Sequence, residues 1–507
     1  MRECFFYLSP TLATFVLQTK SHYPMATERH FKKSLNLFDS AAITMGSMIG
    51  SGIFIVSADI ARNVGSPGWL LVVWAVTTLM TVLAALSYGE LASMLPHVGG
   101  IYVYLKEAYS PLFGFLYGWT FFLVIQCGTI AAVAMAFAKF TGVLLPVISE
   151  QNILLDLGLF KFNTTQLLAI MMILFLTWIN TRGIKEGKRV QNIFTYSKVF
   201  ILLAFIVIGI FVAKATQLNV FHSPGFWEAS KIVDNQQVPV SGFSLIIAIG
   251  LAMVGSIFAA DAWYNITYTS DEVINPKKTI ARSLFLGTLT VCLIYFLVNV
   301  VYIIALPVRG IPDGATVMER GIQFATADRV ATAAIYGIFG KNTELLMAVV
   351  VVISTFGCNN GIILSGARVT YAMAKDRLFF KKTGELSKTG VPAFGLWIQA
   401  IWSTLLCLTG TYSQLLDYVV FAALLFYILV IFAVFMLRIK HPEWERPYKA
   451  FGFPVFPIIY IAACLLIIII LLIYKPLFTW PGLGIVISGI PVYYLWKRKS
   501  HKGPVTI

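Results

Sequence analysis

Apolar runs long enough to cross a bilayer recur along almost the whole chain, each bounded by clusters of charge. A ~30 Å hydrocarbon core needs about 20 such residues in helical form, and these runs meet that length. With 58% hydrophobic and only 12% charged residues over 507, the chain is too apolar to stay in water as a globular protein. The expected class is an all-α polytopic membrane protein.

The runs place membrane helices near 37–62, 67–95, 111–145, 164–181, 189–213, 243–270, 281–306, 343–374, 393–410, 413–438, 454–474 and 480–496. That is about twelve spans, an even number, which leaves both ends of the chain on one side. The basic clusters choose the side. Arg29, Lys32 and Lys33 precede the first span, Arg182, Lys185, Lys188 and Arg189 lie between the fourth and fifth, and Lys277, Lys278 and Arg282 follow the sixth. Lys375, Arg377, Lys381 and Lys382 follow the eighth, Arg438, Lys440, Arg446 and Lys449 the tenth, and Lys497, Arg498 and Lys499 the last. All fall on one face when spans alternate, so both termini are expected to be cytoplasmic. The net charge of +15 is that loop bias and points to no nucleic acid.

The alternate loops, Gln217–Ser241 and Pro307–Asn342, are longer and more dilute in charge. Within the second, Ala325–Ile338 reads as a helix lying at the outer surface as a lid. Residues 1–24 form no proper signal peptide, since Pro10 breaks their short apolar part. They read as an extension without structural role, ahead of a polar basic run from Ala26 to Lys33. Cys127, Cys292, Cys358, Cys407 and Cys464 sit in apolar segments and Cys4 in the leader, so no disulfide and no metal site is expected.

Inside the first span, Gly46-Ser47-Met48-Ile49-Gly50-Ser51-Gly52-Ile53-Phe54 makes a poor helix interior, because each Gly costs about 1 kcal/mol relative to Ala. A membrane tolerates open backbone only where protein or a polar cavity supplies partners. The run therefore predicts a helix that opens near the midplane, with the second half-helix offering its positive N-terminal end to a carboxylate. Small residues that merely let two helices pack closely are the other reading. Gly250–Ser256, followed by Phe258-Ala259-Ala260-Asp261-Ala262-Trp263-Tyr264-Asn265, repeats the mixture in the sixth span. Five spans separate the two breaks, and an odd number flips orientation. Two inverted five-helix units, residues 35–214 and 215–438, follow, with 1–34 as an N-terminal segment and 439–507 as two extra helices and a tail. Paired broken helices point to a substrate site at the bilayer midplane.

Gly46–Phe54, Tyr88-Gly89-Glu90-Leu91, and Pro96-His97-Val98-Gly99-Gly100-Ile101-Tyr102 resemble the first two spans of the amino acid–polyamine–organocation permeases. Phe258–Glu272, Asn275-Pro276-Lys277-Lys278, and Phe356-Gly357-Cys358-Asn359-Asn360-Gly361 with Ala367-Arg368 extend the likeness over about residues 35 to 440. It is strongest to the L-type amino acid transporters, which include the light chains of heteromeric carriers and their bacterial relatives. The resemblance implies a leucine-transporter-type 5+5 inverted-repeat fold with discontinuous helices 1 and 6. It also implies sodium-independent transport of α-amino acids across a lipid bilayer, with no cofactor.

An amino acid is a zwitterion, so its site must offer donors to one end and acceptors to the other. Amides at Ser51, Gly52 and Ile53 and the Ser51 hydroxyl suit the carboxylate. Carbonyls around Met48, Phe258 and Asp261 suit the ammonium. The candidate substrate-binding residues are Met48, Ile49, Gly50, Ser51, Gly52, Ile53, Phe258, Ala259, Asp261 and Trp263. The resemblance makes Phe258 a gate over the substrate, against plain aromatic packing. Asp261 departs from the small residue usual in neutral-substrate L-type carriers, whereas relatives that take cationic amino acids have an acid there. It is a functional candidate, a helix cap or one half of an ion pair. Glu90 reads as a structural partner near the cytoplasmic side. Lys198 lies about two turns into the fifth span, from where it can snorkel to the interface. The resemblance instead puts its ammonium where sodium-coupled relatives hold the ion, linking the first and eighth spans.

Eukaryotic L-type light chains join a single-span glycoprotein through a Cys in the loop after the third span. Gly142–Thr165 contains none, so no disulfide-linked heavy chain is expected and the chain should act alone, in a bacterial-type inner membrane. An amino acid/polyamine antiporter and a proton-coupled permease remain alternatives. An integral membrane enzyme finds no catalytic cluster, with His97 and His441 in loops, and a channel finds no repeated pore segment or charge ring.

Overall fold

The first span stops and restarts. Asn36 caps its first half, accepting from the Asp39 amide at 2.9 Å while donating its own amide to Asp39 Oδ2 at 3.1 Å. The helix Leu37–Met48 then ends at the glycine run. Helix resumes over Gly52–Ile55 and continues through Val56, itself in the right-handed region, into Ser57–Val64. Gly65, at φ 54°, turns the chain out. The break falls within the segment whose composition opposes helix.

The sixth span breaks too, and differently. Its α-helix Gly242–Ala259 ends before Ala262, which sits at φ 64°. The chain goes on as a tighter 3₁₀ segment, Trp263–Glu272. Left-handed backbone at an alanine is unfavourable by roughly 1–2 kcal/mol. The third span is interrupted as well: π-helical turns over Phe121–Gln126 join Pro111–Thr120 to Cys127–Leu144.

This computed structural model describes residues 31–156, 161–212, 219–234, 236–340, 343–409 and 412–500. The leader 1–24 lies outside them. Among the described residues ten helices are long and apolar enough to cross a membrane. The two other expected spans, 393–410 and 480–496, correspond to Ala393–Thr409 and to Pro476–Ser500, the latter holding Pro481 and Pro491. The fifth and seventh spans start earlier than expected, at Ile184 and Pro276. Their basic clusters are helical rather than loop, since Lys and Arg are good helix formers and Pro276 suits a first turn.

Short antiparallel hairpins, Ile153–Asp156 with Lys161–Asn163 and Ser230–Val233 with Gln236–Pro239, lie after the third and fifth spans. The expected outer helix is real but shifted, at Val330–Phe339, with Val330, Ala331 and Ala334 fully buried. Around the first span pack the fifth, seventh and eighth, and the second packs along the seventh. Large apolar side chains face outward, Phe200 at 72% and Phe211 at 83% exposure among them, as a hydrocarbon solvent requires.

Candidate functional site

Opening a helix orphans carbonyls that no later amide can reach. Here neighbouring spans supply the donors. From the fifth span, Lys198 gives its ammonium to the carbonyls of Gly46 and Ile49, both at 2.6 Å. From the eighth, Ser354 Oγ reaches the carbonyls of Ile49 and Gly50 at 3.2 and 3.3 Å, and Cys358 Sγ that of Ser47 at 3.0 Å. From the seventh, Tyr295 donates to Met48 at 2.9 Å and Tyr302 to Ile53 at 3.2 Å. Lys198 is 1% exposed and points inward, so it does not snorkel.

Beyond the break, Gly52 and Ile53 occupy the first turn of the second half-helix, where amides have no helical acceptor. Gly52 is also where the two broken helices meet. A Cβ placed on it would lie 2.6 Å from Ala259 Cβ and 2.7 Å from Ala259 Cα. Only glycine permits that approach.

Asp261 follows directly. Its amide donates to the Phe258 carbonyl at 3.1 Å. Its buried carboxylate accepts from the hydroxyl of Tyr427, on the tenth span, and from that of Tyr264 at 3.4 Å. Neither partner is a cation, and among the described residues Asp261 makes no ion pair. Trp263 turns away into an aromatic cluster, edge-on to Tyr88 with centroids 4.6 Å apart.

Seven of the expected residues, Met48, Gly50, Ser51, Gly52, Phe258, Ala259 and Asp261, line one small cavity between the breaks. Ile49, Ile53 and Trp263 are not on its wall. Thr129 and Val133 from the third span, Cys358 and Ile362 from the eighth, and Ser47 and Ala262 beside the breaks complete it. Sequence reasoning missed these six. Ser47, Ala262 and Cys358 lie within runs the sequence singled out, whereas Thr129, Val133 and Ile362 carried no signal. The cavity volume is about 20 Å³, room for a water molecule or two.

Contacts tie both ends of the first span to its neighbours. At the Asn36 end, the Ser34 and Leu35 amides donate to the Glu272 carbonyl at 2.8 and 2.9 Å, and Arg368 pairs with the Glu272 side chain at 2.9 Å. At the Val64 end, Arg62 pairs with Asp328 at 2.7 Å and Gln323 donates to the Ala61 carbonyl at 3.1 Å. Glu90 lies outside this region. Arg438 holds it with two bonds of 2.9 and 2.6 Å, and the Ala450 amide adds a third at 2.7 Å, a structural tie as its position implied.

The family described as "Amino acid permease" matches residues 35–493. The chain is 31% identical over 478 residues to the large neutral amino acids transporter small subunit 2 of Oryctolagus cuniculus, covering 93% of this chain and 82% of that one. It is 27% identical over 501 residues to the b(0,+)-type amino acid transporter 1 of Homo sapiens, covering 96% and 93%. With the Asc-type amino acid transporter 1 of Mus musculus it shares 27% over 485 residues, 94% and 84% of the two chains. A multi-pass helical bundle broken at two facing helices, matched over nearly its whole length, belongs to the amino acid permease family of the amino acid–polyamine–organocation superfamily, and the chain is an amino acid transporter.

Proposed function

We propose that this chain moves L-amino acids without sodium, by alternating access about the cavity between the first and sixth spans. The observation that carries this reading is Lys198, whose ammonium bridges the Gly46 and Ile49 carbonyls while Ser354 joins the same turn from the eighth span. A fixed cation already does there what a bound sodium ion does by charge and coordination, so none is required. The substrate carboxylate is taken by the first-turn amides of Gly52 and Ile53 and the Ser51 hydroxyl, and the ammonium by the Phe258 carbonyl and Asp261, with Phe258 as gate. Two inverted units, 35–214 and 215–438, rock against each other, and both termini face the cytoplasm of a cell whose inner membrane holds the protein.

Neutral amino acids are the principal substrates in this reading. Asp261 favours a second class, cationic amino acids, because the partners of its buried carboxylate among the described residues, the Tyr427 and Tyr264 hydroxyls and the Ala262 amide, are all uncharged, and it would gain a cation from a Lys or Arg side chain. The chain works without a disulfide-linked partner, consistent with the burial of all five cysteines among the described residues. Counterflow of radiolabelled leucine into proteoliposomes holding this chain alone, with all common L-amino acids as competitors, tests the reading. Uptake competed by neutral or cationic L-amino acids supports it. No counterflow until a second subunit is added contradicts it.

A further inference from the structure

The seventh span opens with three cations, Lys277, Lys278 and Arg282, in the first two turns of a 30-residue helix. The positive end of the helix dipole lies there, so basic side chains at that point are placed against the local field. Lys277 meets Glu445 at 2.5 Å, both side chains exposed. Lys278 and Arg282 are exposed and make no ion pair among the described residues. Beside them the second span, the seventh span and the loop after the tenth leave a crevice of about 620 Å³. Its wall is apolar: Leu86, Ala281, Phe285, Pro447 and Phe451, the last 66% exposed.

The outward face of the helix continues that pattern. Leu286, one turn beyond Arg282, is 47% exposed, and Leu293 and Leu297 follow it at 49% and 38%. Cations at the mouth, an apolar wall behind them and an apolar stripe leading into the membrane form an amphipathic groove. A soluble anion would use the mouth alone. We propose that this groove binds one anionic phospholipid, its phosphate between Lys278 and Arg282 and one acyl chain along Leu86, Phe285 and Leu286. Basic pockets between spans at the membrane surface suit such head groups, with each cation contributing a comparable share. The lipid would tie the base of the seventh span to the loop after the tenth.

Native mass spectrometry of the full chain, delipidated in detergent and titrated with phosphatidylglycerol or with phosphatidylcholine of the same chains, tests this. One phosphatidylglycerol should bind in preference to phosphatidylcholine. Removing each charge should weaken it about fivefold, and Lys278→Gln with Arg282→Gln together roughly thirtyfold. The charge-conserving pair Lys278→Arg with Arg282→Lys should keep the preference. Equal binding of both lipids, or of phosphatidylglycerol to wild type and the doubly neutralised variant, overturns the proposal. So does displacement of the lipid by millimolar inorganic phosphate, which would make this an anion site with no use for the acyl chain.

Discussion

Arg368 reaches from the eighth span to Glu272 at the end of the sixth, placing Nε and Nη2 on one carboxylate oxygen at 3.0 and 2.9 Å. The two side chains are 1% and 2% exposed, and a further guanidinium nitrogen donates to the Leu364 carbonyl. Breaking a buried pair from one side strands the other charge, at about 3–5 kcal/mol, whereas replacing both partners is far milder. Arg368→Gln should therefore lower the thermal midpoint of the detergent-solubilised protein clearly more than Arg368→Met combined with Glu272→Gln. A double variant less stable than the single one would remove this pair from the account of how the sixth and eighth spans are held together there.

Gly52 is the second test, because its contact with Ala259 involves backbone that cannot swing aside. A methyl group there forces the broken helices apart, and overpacking of this kind costs about 1–3 kcal/mol. Gly52→Ala should insert and purify normally yet lose uptake by roughly tenfold or more. Wild-type uptake in that variant would show that the two helices need not meet during transport.

Asp261 is expected to read charge. If it pairs with substrate, Asp261→Asn forfeits a charge-assisted hydrogen bond of about 1.5–3 kcal/mol, roughly ten- to a hundredfold in uptake. A loss greatest for lysine and arginine means the carboxylate reads a side chain, and a uniform loss means it reads the α-ammonium. The ratio of leucine to arginine uptake in wild type and variant separates them. Unchanged ratio and unchanged rates would leave Asp261 as a structural residue.

What the sequence made legible was whatever broke local rules. Three glycines in seven residues of an apolar run, and an acid in mid-membrane, are each costly, and both mark the cavity. The residues that complete the site break no rule. Tyr295, Ser354 and Tyr427 are ordinary polar side chains on membrane helices, and their meaning comes from contacts with residues more than 100 positions away. Ile53 is expected at the site for its amide and Ile49 and Trp263 as neighbours of the breaks, yet none of the three lines the cavity, and Trp263 packs edge-on to Tyr88 instead. Lys198 shows the limit most plainly. Its depth alone is compatible with snorkelling, the resemblance favours an inward ammonium, and the two carbonyls it meets show it pointing inward.

Those two bonds make sodium dispensable in this account, and ion replacement tests that most directly. Initial rates of leucine counterflow should be measured in proteoliposomes with sodium on both sides and then with choline in its place. The account predicts rates that agree within error. A strict requirement for sodium would contradict it, because the ion would then have work that the Lys198 ammonium does not do.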